Sequence, residues 1–401
     1  MSLGMIPYEN PTYVLILALA LIPTMLSIYY KQDRMNWYQI LVSVIFLAIS
    51  FSGGKIQQGI ALICYVVFET ILIGAYFSYR QKKNNSWVFY GAVFLAILPL
   101  IFDKIVPFVD HHPSIFSFLG ISYLTFRSVQ MIMEMRDGAI KEYHPWRFVQ
   151  FLVFFPTISS GPIDRYRRFE KDYLNPPARE EYSNLIEKGI YNLFIGCLYK
   201  FILAYFLGSL ALPFIGEAAH ENAGLVRIVC LVGYAYVYTL DLFFDFAGYS
   251  RFAVGMSYLM GYDVPINFNK PFLSWNIKEF WNRWHMSLSF WFRDFIYMRL
   301  MFTLLKKKVF KSRIVASNVG YFALFLIMGL WHGLTWYYIA YGLYMACAIC
   351  INDAWLRFKR KHRKQLPSNK FTHCFSVFLT FNVVAAGLLI FSGFLNTFLH
   401  W

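Results

Sequence analysis

The chain has 401 residues, 58% of them hydrophobic and 20% aromatic but only 15% charged, which excludes an ordinary soluble domain. Its apolar runs are too long for barrel strands. In hydrocarbon each backbone N–H and C=O must be satisfied within the protein, so the expected fold class is all-α: a polytopic membrane protein forming one membrane domain over 1–401. The formal net charge of +15 is concentrated in short loops, a distribution that calls for membrane topology and lipid contact rather than a nucleic-acid partner.

A helix of about 20 apolar residues spans a bilayer core. Stretches of that kind lie near 12–30, 37–54, 58–78, 87–102 and 115–133, then near 146–160, 186–214, 224–246, 314–331, 334–355 and 371–398. Ten or eleven crossings are therefore expected. The first stretch has no basic start and no small-residue cleavage site after it, and is read as a retained helix. No internal repeat, heptad or low-complexity segment is evident.

Two acid-free segments hold most of the excess charge, 299–313 and 357–370. The positive-inside rule places both in the cytoplasm, with Lys31, Arg34, Arg80, Lys82 and Lys83 on the same side and the acidic loop "GEAAHENAG" at 216–224 outside. Counting spans between these anchors puts both termini outside. Segment 357–370 reads as topology plus attraction to anionic lipid. Segment 298–313 differs, because Met298, Met301, Phe302, Val309 and Phe310 interleave with Lys306, Lys307, Lys308, Lys311 and Arg313. Such a surface suits an acidic protein as well as a lipid headgroup.

The six cysteines have no metal-ligand spacing and read as small buried hydrophobes, and "DHHP" at 110–113 lacks the pattern of a metal site. In "FFPTISSGPIDRYRRF" (154–169), Pro156, Gly161 and Pro162 forbid a straight helix, and Thr157, Ser159 and Ser160 are assigned to packing and backbone satisfaction.

The stretch "NRWHMSLSFWFRDF" (282–295) has the richest chemistry. As a continuous helix it would align Asn282, His285, Ser289 and Arg293 on one face and Trp281, Trp284, Leu288, Trp291 and Phe295 on another. It is either an interfacial helix with a Trp belt or the polar lining of an internal cavity. A second histidine, His332, lies in "LIMGLWHGLTWYYIAYG" (326–342), at either a hairpin turn open to outside water or a re-entrant break that turns the ring into a buried pocket. Imidazole titrates near neutrality and suits the removal of a hydroxyl proton.

Taken together, "PTISSGPIDRY", "DFAGYSRFAVGMSYLMGYDVPINFNKPF", "SWNIKEFWNRWHMSLSFWFRDFIY" and "MGLWHGLTW" resemble, in that order and across nearly the whole chain, the membrane-bound O-acyltransferase family, and most closely its teichoic-acid D-alanylation branch. The resemblance implies a ring of helices around a thinned centre. It implies that His332 is the catalytic histidine and His285 the second catalytic position, with Asn282 and Ser289 lining the passage. It further implies a cytosolic acidic carrier protein, its D-alanine held as a thioester on a phosphopantetheine arm. That carrier would dock on 298–313, with no tightly bound cofactor. The acceptor would be teichoic acid or an intermediate outside the cell membrane, and small accessory membrane subunits stay open as partners. Alternatives are O-acetylation of a polysaccharide such as alginate or, from another class, a transporter or lipid flippase. The latter fits poorly with the absence of paired repeat halves.

Overall fold

The computed structural model describes residues 6–398, and all regular structure among them is helical. In chain order the helices are α1 (Pro11–Ala20), α2 (Ile22–Lys31), α3 (Asn36–Ser50), α4 (Ile56–Lys82), α5 (Ser86–Asp110) and α6 (Ile121–Arg136). Then follow α7 (Pro145–Leu152), α8 (Tyr166–Leu174), α9 (Arg179–Cys197), α10 (Leu212–Glu221), α11 (Gly224–Leu259), α12 (Ile277–Trp281) and α13 (Met286–Phe292). The chain closes with α14 (Met298–Lys306), α15 (Arg313–His332), α16 (Trp336–Lys361) and α17 (Lys370–Phe391).

Among the described residues, 8 helical segments are long and apolar enough to cross a bilayer, so the protein is a multi-pass membrane protein. Three expected crossings come out shorter. The apolar runs near 37–54 and 115–133 form helices of 15 and 16 residues. The run near 146–160 breaks after the 8-residue α7 into a 3₁₀ turn at Phe155–Thr157, where Pro156 cannot continue the α-helical ladder.

The chain forms two compact units interleaved in sequence, Met1–Phe201 with Gly248–Ile266 and Ile202–Ala247 with Asn267–Trp401. In the first unit the break after α7 is held by a buried cation. The Arg127 guanidinium, wholly buried on α6, donates to the carbonyls of Phe151 (2.9 Å), Leu152 (2.8 Å) and Thr157 (2.8 Å) and to Thr157 Oγ1 (2.5 Å). These carbonyls are the ones that the broken helix leaves without N–H partners. Arg127→Ala would orphan several of them at once and should destabilise the protein by about 3–5 kcal/mol. Thermal unfolding in detergent measures this; an unchanged midpoint would mean that water satisfies the carbonyls instead.

In the second unit α15 and α16 form an antiparallel hairpin whose backbones touch. A Cβ on Gly329 would lie 2.6 Å from the Tyr338 carbonyl oxygen, and one on Gly342 would lie 2.5 Å from that of Phe325. Small residues of this kind let two membrane helices approach and gain dispersion contact. On its other side α16 meets α17, where Tyr344 donates to the Val383 carbonyl (2.9 Å). The hairpin therefore holds its short loop, and His332 at its edge, rigidly.

Candidate active site

His332 is the last residue of α15, and α16 begins after three intervening residues. Of the two arrangements open from sequence, the structure forms the hairpin and no re-entrant break. The imidazole is half-buried, ringed by Trp331 (centroids 4.4 Å), the edge of Phe391 (4.8 Å) and Tyr338 (5.8 Å). These aromatic walls limit water without sealing the ring from it.

The stretch around His285 departs from expectation. It is not one helix. Asn276 caps α12, its Oδ1 accepting from the Glu279 N–H (2.9 Å), and α12 ends after five residues at Trp281. A turn follows, and α13 starts only at Met286. The single polar face of Asn282, His285, Ser289 and Arg293 is accordingly divided: His285 sits at the turn while the other three line a cavity.

His285 has left-handed backbone angles, φ 41° and ψ 53°, which cost a non-glycine residue about 1–2 kcal/mol. Neighbouring bonds hold it there. Asn267 O accepts from the Met286 N–H (2.8 Å), Asn267 Oδ1 accepts from Ser287 Oγ (2.6 Å), and the Asn269 N–H donates to Arg283 O (2.9 Å). The ring is 6% exposed, stands edge-on to Phe246 at 4.6 Å, and its Nε2 has no hydrogen-bond partner. Burial, and secondarily a charge on His332, lower its pKa to about 3. The buried ring is therefore held in its neutral form.

Beside α15 lies a cavity of about 270 Å³. One wall is a single stripe of α15, Tyr321, Leu324, Phe325 and Met328, spaced so that His332 is the next residue on that stripe, one turn beyond Met328. The lining also includes Trp281, Asn282 and Ser289, with Lys278, Arg293 and Met298. Lys278 pairs there with Asp353 at 3.8 Å, near the basic end of α16. Hence the cavity has Lys278 and Arg293 in its lining and follows the α15 stripe on which His332 is the next residue, while neither histidine lines it. Sequence reasoning selected Asn282 and Ser289 but missed Lys278, Trp281 and the α15 stripe. The stripe's i, i+3, i+4, i+7 register with His332 was the available signal.

The basic, apolar segment at 298–313 forms α14 and the turn after it. Met298, Phe302 and Val309 are exposed at 54%, 69% and 54%, and Lys306, Lys307, Lys308, Lys311 and Arg313 are exposed with them. Met301 and Phe310 are half-buried. Met298 both belongs to this surface and lines the cavity rim, so surface and cavity are continuous.

Residues 10–392 match the membrane-bound O-acyltransferase family. The chain belongs to that family. It is a membrane acyltransferase. Its relatives include a teichoic acid D-alanyltransferase of Lacticaseibacillus rhamnosus, 52% identical over 98% of both chains, and one of Streptococcus thermophilus, 49% identical over 97% of this chain and 95% of the other. A protein of Pseudomonas aeruginosa named as an alginate O-acetylase is 32% identical over 62% of this chain and 44% of its own.

Proposed function

We propose that this acyltransferase moves D-alanine from a thioester on the phosphopantetheine arm of an acidic cytosolic carrier to a hydroxyl of teichoic acid, or of an intermediate acceptor, outside the cell membrane. Both termini then face outward. The observation that carries the reading is the cavity, which is lined by Met298 of the basic α14 surface and by the α15 stripe on which His332 is the next residue after Met328.

The carrier's acidic surface meets the lysines of 306–311 and its apolar patch meets Met298, Phe302 and Val309. Its arm enters past Lys278 and Arg293, between Asn282, Ser289 and the α15 stripe. His332 takes the proton of the acceptor hydroxyl as the oxygen attacks the thioester carbonyl, forming the C–O bond and placing the π electrons on the carbonyl oxygen. That oxyanion accepts a hydrogen bond from neutral His285 through Nε2–H. Collapse breaks the C–S bond, and the thiolate leaves with the proton that His332 held. The half-buried position of His332 leaves the ring open to an acceptor arriving from outside.

The test uses purified protein in vesicles, with carrier bearing radiolabelled D-alanine, teichoic acid as acceptor and an acetyl-loaded carrier as control. Base-labile label should appear on the teichoic acid from the D-alanyl carrier alone. Transfer of acetyl in its place would favour the O-acetylation chemistry of the alginate relatives, and label passing only to water would overturn the acceptor.

A further inference from the structure

Asn267 occupies a position that packing alone does not explain. It precedes the chain's return toward α12 and is 1% exposed, yet its side chain makes a single hydrogen bond, from Ser287 Oγ to Oδ1 at 2.6 Å. Its Nδ2 is buried with no partner. A buried amide N–H left unmade costs about 1–3 kcal/mol, so a purely structural role would be served better by an apolar residue or by a second acceptor. The main chain of the same residue accepts from Met286, directly after His285. Asn267 therefore grips the residues that follow His285 through both its carbonyl and its side chain while keeping one donor free. His285 Nε2, on the turn that Asn267 grips, is likewise buried without a partner, as is Trp281 Nε1 at the start of the turn.

We infer that the Asn267 amide is a second hydrogen-bond donor to the acyl carbonyl, completing with His285 a two-donor oxyanion site. The need for two donors is chemical. When the acceptor oxygen adds, the carbonyl oxygen gains a full negative charge and room for more than one hydrogen bond. Donors held in place beforehand in a dry site stabilise that charge without reorganising. Ser287 holds the amide oxygen, which turns Nδ2 away from it and prevents the side chain from rotating to satisfy itself. The left-handed turn at His285, held by the Asn267 carbonyl, places an imidazole and an amide on one rigid scaffold. This inference rests on the thioester chemistry proposed above but not on the identity of the acyl group.

The decisive variant is Asn267→Asp. It keeps the main-chain acceptor and an oxygen for Ser287 and replaces the Nδ2 donor with an acidic oxygen that cannot donate when ionised. With whichever acyl-carrier thioester the wild-type chain turns over, kcat should fall by about 10²–10³-fold while KM for the loaded carrier stays within about threefold. Ser287→Ala, which keeps the donor and loses only its clamp, should retain activity to within about tenfold. Where the Asp chain does not fold, Asn267→Ala provides the uncharged version with the same expectation for kcat. A kcat within about threefold of wild type in a folded Asn267 variant, or a loss confined to KM, would overturn the donor role. A wild-type chain that turns over acetyl-carrier and not D-alanyl-carrier would overturn the D-alanyl reading alone, since the comparison then runs on the acetyl donor.

Discussion

His332→Ala should lower transfer from loaded carrier by about 10²–10⁴-fold, the range expected when a positioned general base is removed. The chemistry demands this of His332 in particular. An acceptor hydroxyl is a poor nucleophile until its proton is taken, and among the two histidines of the site only His332 is half-open; His285 is shut in against Phe246. Carrier binding should be unchanged, because the docking surface adjoins the opposite end of α15, which at 20 residues is about 30 Å long. Membranes containing the variant should therefore bind loaded carrier normally and fail to pass on its acyl group. Retained transfer would move the base elsewhere.

Reversing Lys306, Lys307 and Lys308 to Glu should have the opposite profile. All three are solvent-exposed on the end of α14 and the turn after it, so their contribution to folding is small, and their field acts on an approaching anion rather than on the reaction. The association rate with an acidic carrier should fall by about 10–10³-fold at low salt, with kcat at saturating carrier preserved. Added salt should narrow the gap, as screening removes the attraction that wild type enjoys and the repulsion that the variant meets. Equal association at low salt would displace the docking surface from α14.

Much of this was legible in the sequence for physical reasons. Long apolar runs can only be helices in lipid, and a basic apolar segment such as 298–313 can only be a wet surface. Pro156 announced its helix break. What was not legible turned on tertiary contact. Asn267 was passed over because an asparagine in a loop is unremarkable until its amide is found buried with an unused donor. His285 was placed by helical periodicity on a face with Asn282 and Ser289, but the Met286 N–H bonds to Asn267 O, ending that periodicity one residue earlier. The hydrogen bond that decided it came from 18 or more residues away in sequence, where local pattern has no reach. For His332 the sequence left a hairpin turn and a re-entrant break both open; the close approach of Gly329 and Gly342 makes the hairpin, leaving its last residue half-open.

The route by which the donor reaches His332 can be measured directly. Carrier whose phosphopantetheine arm ends in a photoreactive group would be bound to the membrane protein and irradiated, and the cross-linked peptides mapped. Adducts should fall on Phe325 and Met328 of α15 and on the facing Trp281–Ser289 segment. Adducts confined to the exposed surface of α14, with none on the α15 stripe, would contradict the account.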